Sequence, residues 1–467
     1  MIKIEDLTVS YSDTPVLKHL NLQIEDGECV VLTGESGSGK STLLNAINGL
    51  GEKYANTRTK GCVTVDDADV GTLETYQISE LVACVFQNPK THFFNVNTTQ
   101  ELLFFLENIG LERAEMDRRL DKLLKLFPIK ALLNRSIFEL SGGEKQVLCL
   151  ASAYISGCKF ILLDEPTSNL DHRYIDVLRQ MLETLRAEKI ALVIAEHRLY
   201  YLNGLFDRLV LLKGGEIAKI YTKEEFSRLA SNDLHAAGLR DKKPESIKLQ
   251  PCPATGELYI KEMNIAFTPT SGLELEDLYF KNNCIYGIIG RNGSGKTTFL
   301  KALIGVLKKS RESVYYAGQI LNKRARLRRS YLVMQDVNAQ LFTEAVETEL
   351  RLKNTRVPET EIDSVLSSLN LLPYKTVHPM SLSGGQKQRV AVAVGIIDEA
   401  DFMFFDEPTS GMDYKNMLAV SDCIRGLRNE QRIIFIASHD FEFLNVTCDY
   451  VLDMERANGL LGREQVL

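Results

Sequence analysis

The chain has 467 residues, a net charge of −7, 45% hydrophobic and 25% charged residues. Such a composition suits a globular protein of two to four domains. The acidic balance argues against a protein whose main work is gripping nucleic acid, which needs clustered positive charge. Nine cysteines form no Cys-x-x-Cys pair, and Cys29, Cys62, Cys84, Cys149 and Cys158 mostly sit in apolar runs, so a reducing compartment fits better than a disulfide framework. Met1-Ile2-Lys3-Ile4-Glu5-Asp6 lacks the apolar stretch of a signal peptide. No run reaches the roughly 18 apolar residues of a membrane span, so any membrane path is expected from another subunit.

In chain order, Cys29–Thr33 reads as a strand, followed by a glycine loop and a helix over Ser41–Ala46. The stretch between Gln87 and Ser141, with Asp117–Leu126 as its clearest segment, reads as an inserted helical subdomain. Phe160–Leu163 and Ala191–Ala195 read as buried strands, and Thr222 onward as a terminal helix. Apolar strands alternating with helices predict an α/β domain with a mostly parallel central sheet.

The chain then repeats itself. Gly34-Glu35-Ser36-Gly37-Ser38-Gly39-Lys40-Ser41-Thr42 recurs as Gly290-Arg291-Asn292-Gly293-Ser294-Gly295-Lys296-Thr297-Thr298. Ser141-Gly142-Gly143 recurs as Ser383-Gly384-Gly385, and Asp164-Glu165 as Asp406-Glu407. Lys296 follows Lys40 by 256 positions, whereas Ser383, Asp406 and His439 each follow their counterparts Ser141, Asp164 and His197 by 242. A constant later offset means a duplicated fold, its second copy 14 residues shorter between the first two motifs. The expected division is a first domain over 1–240, a polar, proline-bearing linker over 241–256, and a second domain over 257–467.

The chemistry of the motifs is direct. Gly-x-x-x-x-Gly-Lys-Ser/Thr is a phosphate-binding loop: glycines let consecutive backbone N–H groups converge on a phosphate, and the following helix adds its positive end. Lys40 and Lys296 would reach the β- and γ-phosphates, and Ser41 and Thr297 would ligate Mg²⁺. Asp164 and Asp406 end apolar strands, where α/β sheets bind ligands. They would hold the metal, while Glu165 and Glu407 act as general bases toward water.

The ordered series of phosphate loop, Gln87, Ser141-Gly142-Gly143, Asp164-Glu165, Ser168-Asn169-Leu170-Asp171 and His197 resembles the motifs of ATP-binding-cassette (ABC) ATPases. Gln335, Ser383-Gly384-Gly385, Asp406-Glu407, Ser410-Gly411-Met412-Asp413 and His439 repeat it, so the resemblance covers nearly the whole chain. It implies two tandem P-loop domains, each with an antiparallel β part and a helical insert. It also implies two MgATP bound head to tail, each lying between the phosphate loop of one domain and the Ser-Gly-Gly of the other. Tyr11 and Phe267 would stack on adenine, Gln87 and Gln335 would touch metal and nucleotide, and His197 and His439 would bond the γ-phosphate. Both sites carry the full set. The departures are Glu144 for Gln, Met412 for Leu, and Arg198 where the second copy has Asp440.

Beyond Gln87, Asn88-Pro89 with Phe93-Phe94 and the run to Glu107-Asn108-Ile109-Gly110 resembles the ATPases of energy-coupling-factor (ECF) importers, as does Glu196-His197-Arg198-Leu199-Tyr200-Tyr201. The second half keeps only Gln335-Asp336 through Leu341-Phe342. That resemblance implies a peripheral subunit at the cytoplasmic face of the membrane. It would drive uptake of a vitamin, related small molecule or metal ion through a membrane T component and a substrate-binding S component. Alternatives are the fused ATPase of a sugar- or nucleoside-type importer, or a tandem ABC protein outside transport. The basic run Lys323-Arg324-Ala325-Arg326-Leu327-Arg328-Arg329 reads as a solvated face or as a contact for a membrane subunit or acidic headgroups.

Overall fold

The structure, a computed structural model, describes residues 1–458 other than 12, 56, 169, 269–270, 309 and 383; the side chains of 90, 267, 268 and 271 lie outside the description. Ser383 and Asn169 of the expected motifs, and the Phe267 side chain, therefore lie outside the described residues. The principal division of the chain falls between Pro244 and Glu245.

In the first unit, six strands lie in the order Glu216–Thr222, Arg208–Lys213, Cys29–Gly34, Ala191–Ala195, Phe160–Asp164, Val82–Val85. The last five are mutually parallel and the first is an antiparallel edge. Cys29–Gly34 and Ala191–Ala195 are buried along their whole length, as central parallel strands with both faces covered must be. A second, antiparallel sheet pairs Ile2–Tyr11 with Thr14–Ile24 and with Thr57–Val65.

Helices form where capping and periodicity coincide. Asp171 accepts the Tyr174 N–H at 3.0 Å and opens the helix His172–Ala187. Ile175, Leu178, Met181, Leu182 and Leu185 make its buried stripe. Asn97 opens Thr98–Asn108, followed by Arg113–Leu126, and these are the expected helical insert. Thr222 and Glu225 close a capping box on the helix Lys223–Arg228.

The second unit repeats the plan. Its six-stranded sheet, Gln250–Pro251, Tyr450–Asp453, Cys284–Ile289, Ile433–Ala437, Phe402–Asp406, Ser330–Val333, is parallel throughout. Gln250 and Pro251, within the stretch expected as linker, serve as an edge strand of this sheet. Of the 14 residues this copy lacks, eight are missing before Gln335 and six in its insert, where the counterpart of the 11-residue helix Thr98–Asn108 is the 5-residue helix Val346–Leu350.

The basic run is the helix Lys323–Arg329, and three of its charges point inward. Lys323 donates to the Leu307 and Ser310 carbonyls at 3.0 Å each. Arg326 is buried on Glu312 at 2.6 Å, and Arg329 binds Asp401 at 2.5 Å while lying over the Tyr316 ring. Arg324 and Arg328 remain exposed. The run is thus chiefly an internal brace. All nine cysteines are free; Cys29, Cys149, Cys158 and Cys448 are buried, whereas Cys62 and Cys84 are only partly so.

Removing one partner of a buried ion pair strands the other. Arg326→Met should therefore cost the second unit about 3 kcal/mol in urea-induced unfolding. Adding Glu312→Leu should recover more than half of that loss.

Candidate functional site

Each site is built at the C-terminal edge of its unit's parallel sheet. In the first unit, Cys29–Gly34 runs into the glycine loop and the helix Lys40–Ile47 follows. Gly34 has φ +146°, and a Cβ there would lie 2.1 Å from the Leu212 carbonyl oxygen. Gly39 has φ +102°, and its Cβ would meet Leu17 at 2.4 Å. Both positions demand glycine. Lys40 is buried and folds back on its own loop, donating to the Gly34 and Glu35 carbonyls at 3.0 and 3.2 Å. Burial lowers its ammonium pKa, against the charges of Glu165, Asp164 and Glu196. The Ser38 hydroxyl is buried without a protein partner. The second loop matches: Lys296 donates to the Gly290 and Arg291 carbonyls at 2.9 and 3.2 Å, and Ser294 is likewise buried without a partner for its hydroxyl.

The acidic pairs come to the same places. Ser41 Oγ donates to Asp164 Oδ1 at 3.0 Å, and Thr297 Oγ1 to Asp406 Oδ2 at 2.8 Å. Burial pushes the Asp164 carboxyl up to about 6, against the Ser41 hydrogen bond, and it also raises Asp406. Glu165 and Glu407 sit in left-handed backbone, at φ +42° and +49°, with their N–H groups on the Ala195 and Ala437 carbonyls at 2.8 Å. A non-glycine residue held there twice is strain of the kind that collects at functional sites.

The histidines reach these glutamates: His197 Nε2 lies 3.3 Å from Glu165 Oε1, and His439 Nε2 lies 3.6 Å from Glu407 Oε1. His439 Nε2 is also 2.8 Å from Lys296 Nζ and 2.9 Å from Asn292 Oδ1. Gln87, exposed at the end of its strand, donates to Glu165 Oε2 at 2.6 Å. Gln335 is exposed at the matching position. Tyr11 is exposed at the end of Ile2–Tyr11, open for stacking. Gly37, Gly293, Thr42 and Thr298 lie in or just after the two loops.

The Ser-Gly-Gly motif opens the helix Gly142–Ile155 with Ser141 as its cap. Glu144, the departure from Gln, completes a capping box with Ser141 (2.7 and 3.2 Å) and pairs with Arg135 at 3.1 Å. Against the effect of burial, the Ser141 hydrogen bonds and Arg135 hold its carboxyl below the ordinary range. A Cβ on Gly143 would sit 2.3 Å from the Tyr174 ring, whereas one on Gly142 would meet nothing. In the second unit, Gly384 and Gly385 begin the helix Gly384–Ile397.

Two residues escaped the motif reading. Glu101 Oε2 accepts the N–H groups of Phe94 and Asn95 at 3.1 and 2.7 Å. Glu349, 1% exposed, accepts those of Phe342 and Thr343 at 2.5 and 2.6 Å. Each buried carboxylate thus clamps a loop bearing an exposed phenylalanine, Phe94 at 78% and Phe342 at 73%. The signal was the shared offset of 248 at both positions. Phe94 stacks on Phe104 (5.2 Å between centroids) at a cavity of about 340 Å³ also lined by Phe86, His92 and Phe105. Burial lowers the His92 pKa, favouring its neutral form. Phe93 and Phe105 pack against the core.

Two phosphate loops, each with a hydroxyl–aspartate contact and a strained glutamate beside a histidine, define a tandem nucleotide hydrolase of the P-loop class. The ABC transporter family model matches residues 17–168 and 274–410. A Treponema denticola protein named as an ABC transporter ATP-binding protein is 37% identical over 465 residues, 97% of this chain and 95% of its own. A Saccharolobus solfataricus protein of the same description is 33% identical over 491 residues, 97% of this chain and 92% of its own. The solved structure of RNase-L Inhibitor shares the fold, with TM-score 0.62 over 96% of this chain and 87% of its own at 22% identity. The chain belongs to the ABC transporter ATP-binding family and carries two of its ATP-hydrolysing domains.

Overpacking at a glycine forced by a ring costs about 1–3 kcal/mol. Gly143→Ala should therefore lower the melting temperature by several degrees, and Tyr174→Ala added to it should narrow that gap in a thermal melt.

Proposed function

We propose that this chain is the ATP-hydrolysing subunit of an ECF-type importer, working at the cytoplasmic face of the membrane. It would drive a transmembrane T component and a small substrate-binding S component that takes up a vitamin, related small molecule or metal ion. The observation that carries the reading is the apolar cavity directly after Gln87, with exposed Phe94 at its edge, in the segment that resembles ECF ATPases. An exposed aromatic beside an apolar hollow suits an inserted helix of a partner. Among the described residues no helix is long and apolar enough to cross a membrane, so the path for cargo is assigned to other subunits. The pairing of the two domains about ATP is carried over from the family.

Lys40 and Lys296 would neutralise the β- and γ-phosphates. Glu165 and Glu407 would take a proton from water, with His197 and His439 orienting it and bonding the γ-phosphate. At each site the available donors, a hydroxyl, an aspartate and a glutamine amide oxygen, are hard oxygens that suit Mg²⁺. Among the described residues no cluster of three or more His, Cys, Asp or Glu forms a ready metal cage, so phosphate oxygens would complete the coordination. Mg²⁺ would supply charge neutralisation on the phosphates.

Glu165→Gln with Glu407→Gln should keep ATP binding and lose about 10²-fold or more of turnover; near-normal hydrolysis would refute the general-base assignment. For the partners, the tagged chain would be purified from its own membranes in mild detergent. Two small integral membrane proteins without a binding protein should accompany it, and Phe94→Asp should lose them while binding ATP normally. A dimeric permease with an external binding protein would replace this reading by a sugar-type importer, and ribosomes or DNA would end the transport reading.

A further inference from the structure

The two units solve one local problem with different residues. After the strands Ala191–Ala195 and Ile433–Ala437, the chain reads Glu196-His197-Arg198 in the first unit and Ser438-His439-Asp440 in the second. In the second unit the buried acid follows the histidine: Asp440 Oδ2 accepts from Thr409 Oγ1 at 2.9 Å, and Oδ1 from the Phe443 N–H at 3.1 Å. In the first unit Arg198 occupies that position, and its guanidinium donates to the Thr167 carbonyl at 3.3 Å.

The acid has moved to the other side of the histidine. Glu196 is 2% exposed. Its Oε2 accepts from Thr167 Oγ1 at 2.7 Å and from the Tyr201 hydroxyl at 3.1 Å. Its Oε1 accepts the backbone N–H groups of His197 and Arg198 at 2.8 and 3.0 Å. Thr167 and Thr409 are equivalent, 242 positions apart, so each unit ties the threonine after its Asp-Glu pair to an acid beside its histidine. Four donors on one buried carboxylate leave it fully bonded, which is the condition for burying such a charge at all. The two bases also have further partners: Ser438 Oγ donates to Glu407 Oε2 at 3.0 Å, and the Gln87 amide donates to Glu165 Oε2 at 2.6 Å.

We propose that Glu196 is the positioning residue of the first nucleotide site, fixing the backbone of His197 and the loop of Thr167 in place of the aspartate that Arg198 displaced. The inference rests on the reading of His197 as the group that orients the attacking water. It predicts that an acid beside the histidine is required but that its side is exchangeable.

Steady-state hydrolysis of MgATP by the full chain tests this, with His197→Ala as the reference. Glu196→Ala should reproduce most of the reference's fall in kcat, about tenfold or more where geometry is lost, with KM for ATP within about twofold of the parent. Glu196→Ser with Arg198→Asp, which restores the order of the second unit, should bring kcat back to within about threefold of the parent. Should Glu196→Ala fail to fold, Glu196→Gln takes its place. If His197→Ala itself leaves turnover unchanged, the reading of His197 fails. If His197→Ala is slow while the Glu196 variant keeps parental turnover, or if the exchanged pair does not recover, the positioning role is overturned.

Discussion

The short contact between a loop hydroxyl and a strand aspartate, Ser41 on Asp164 and Thr297 on Asp406, is the constraint on which each unit turns. Each hydroxyl opens the helix that follows Cys29–Gly34 or Cys284–Ile289, and one strand, Ala191–Ala195 in the first unit and Ile433–Ala437 in the second, lies between that strand and the one ending in the aspartate. Only a parallel register brings the ends of all three strands to one edge. Slipping a strand by one residue would exchange the side chains packed on its two covered faces and carry the carboxylate to the opposite face, away from its hydroxyl. The continuous burial of Cys29–Gly34 and Ala191–Ala195 therefore protects the site's geometry as well as its stability.

Given that frame, the two copies diverged in atoms while keeping the same arrangement. Both glutamates sit in left-handed backbone with their amides on the alanine ending the intervening strand. Both lysines cap the first two carbonyls of their loops. The supporting groups around them vary: Glu144 binds back to its own helix cap where the second copy has Gln386, and acid and histidine exchange order. Variation of this kind is cheap when the replaced group only has to supply an acceptor at one place. It is expensive at Gly34 or Gly39, where backbone conformation and space both refuse a side chain.

This contrast explains what was legible in the sequence. The phosphate loops, acid pairs and histidines could be read because their chemistry dictates residue types at fixed spacing, and the duplication supplied a second reading of each. The strand order could be expected only as a class, since alternating apolar runs and helices do not say which strands are neighbours. The inward charges of Lys323, Arg326 and Arg329 were hidden because Glu312 and Asp401 approach from elsewhere in the chain. Gln250–Pro251 was hidden because two polar, proline-bearing residues carry no strand pattern. Arg198 looked like the loss of an acid because the compensating Glu196 stands on the side where the other copy has serine.

The segment after Gln87 joins chemistry to surface within a single unit. At one end the Gln87 amide is 2.6 Å from Glu165. A tight turn follows, in which Asn88 accepts the Thr91 N–H, and fourteen residues beyond Gln87 the buried Glu101 fixes the backbone that carries Phe94. The loop is thus held at both ends by hydrogen bonds, and bending it away would strand the Glu101 carboxylate without its donors. The same clamp on Phe342 by Glu349 gives the second unit an exposed ring held in the same way. The acids that hold both rings in place, Glu101 and Glu349, are themselves buried.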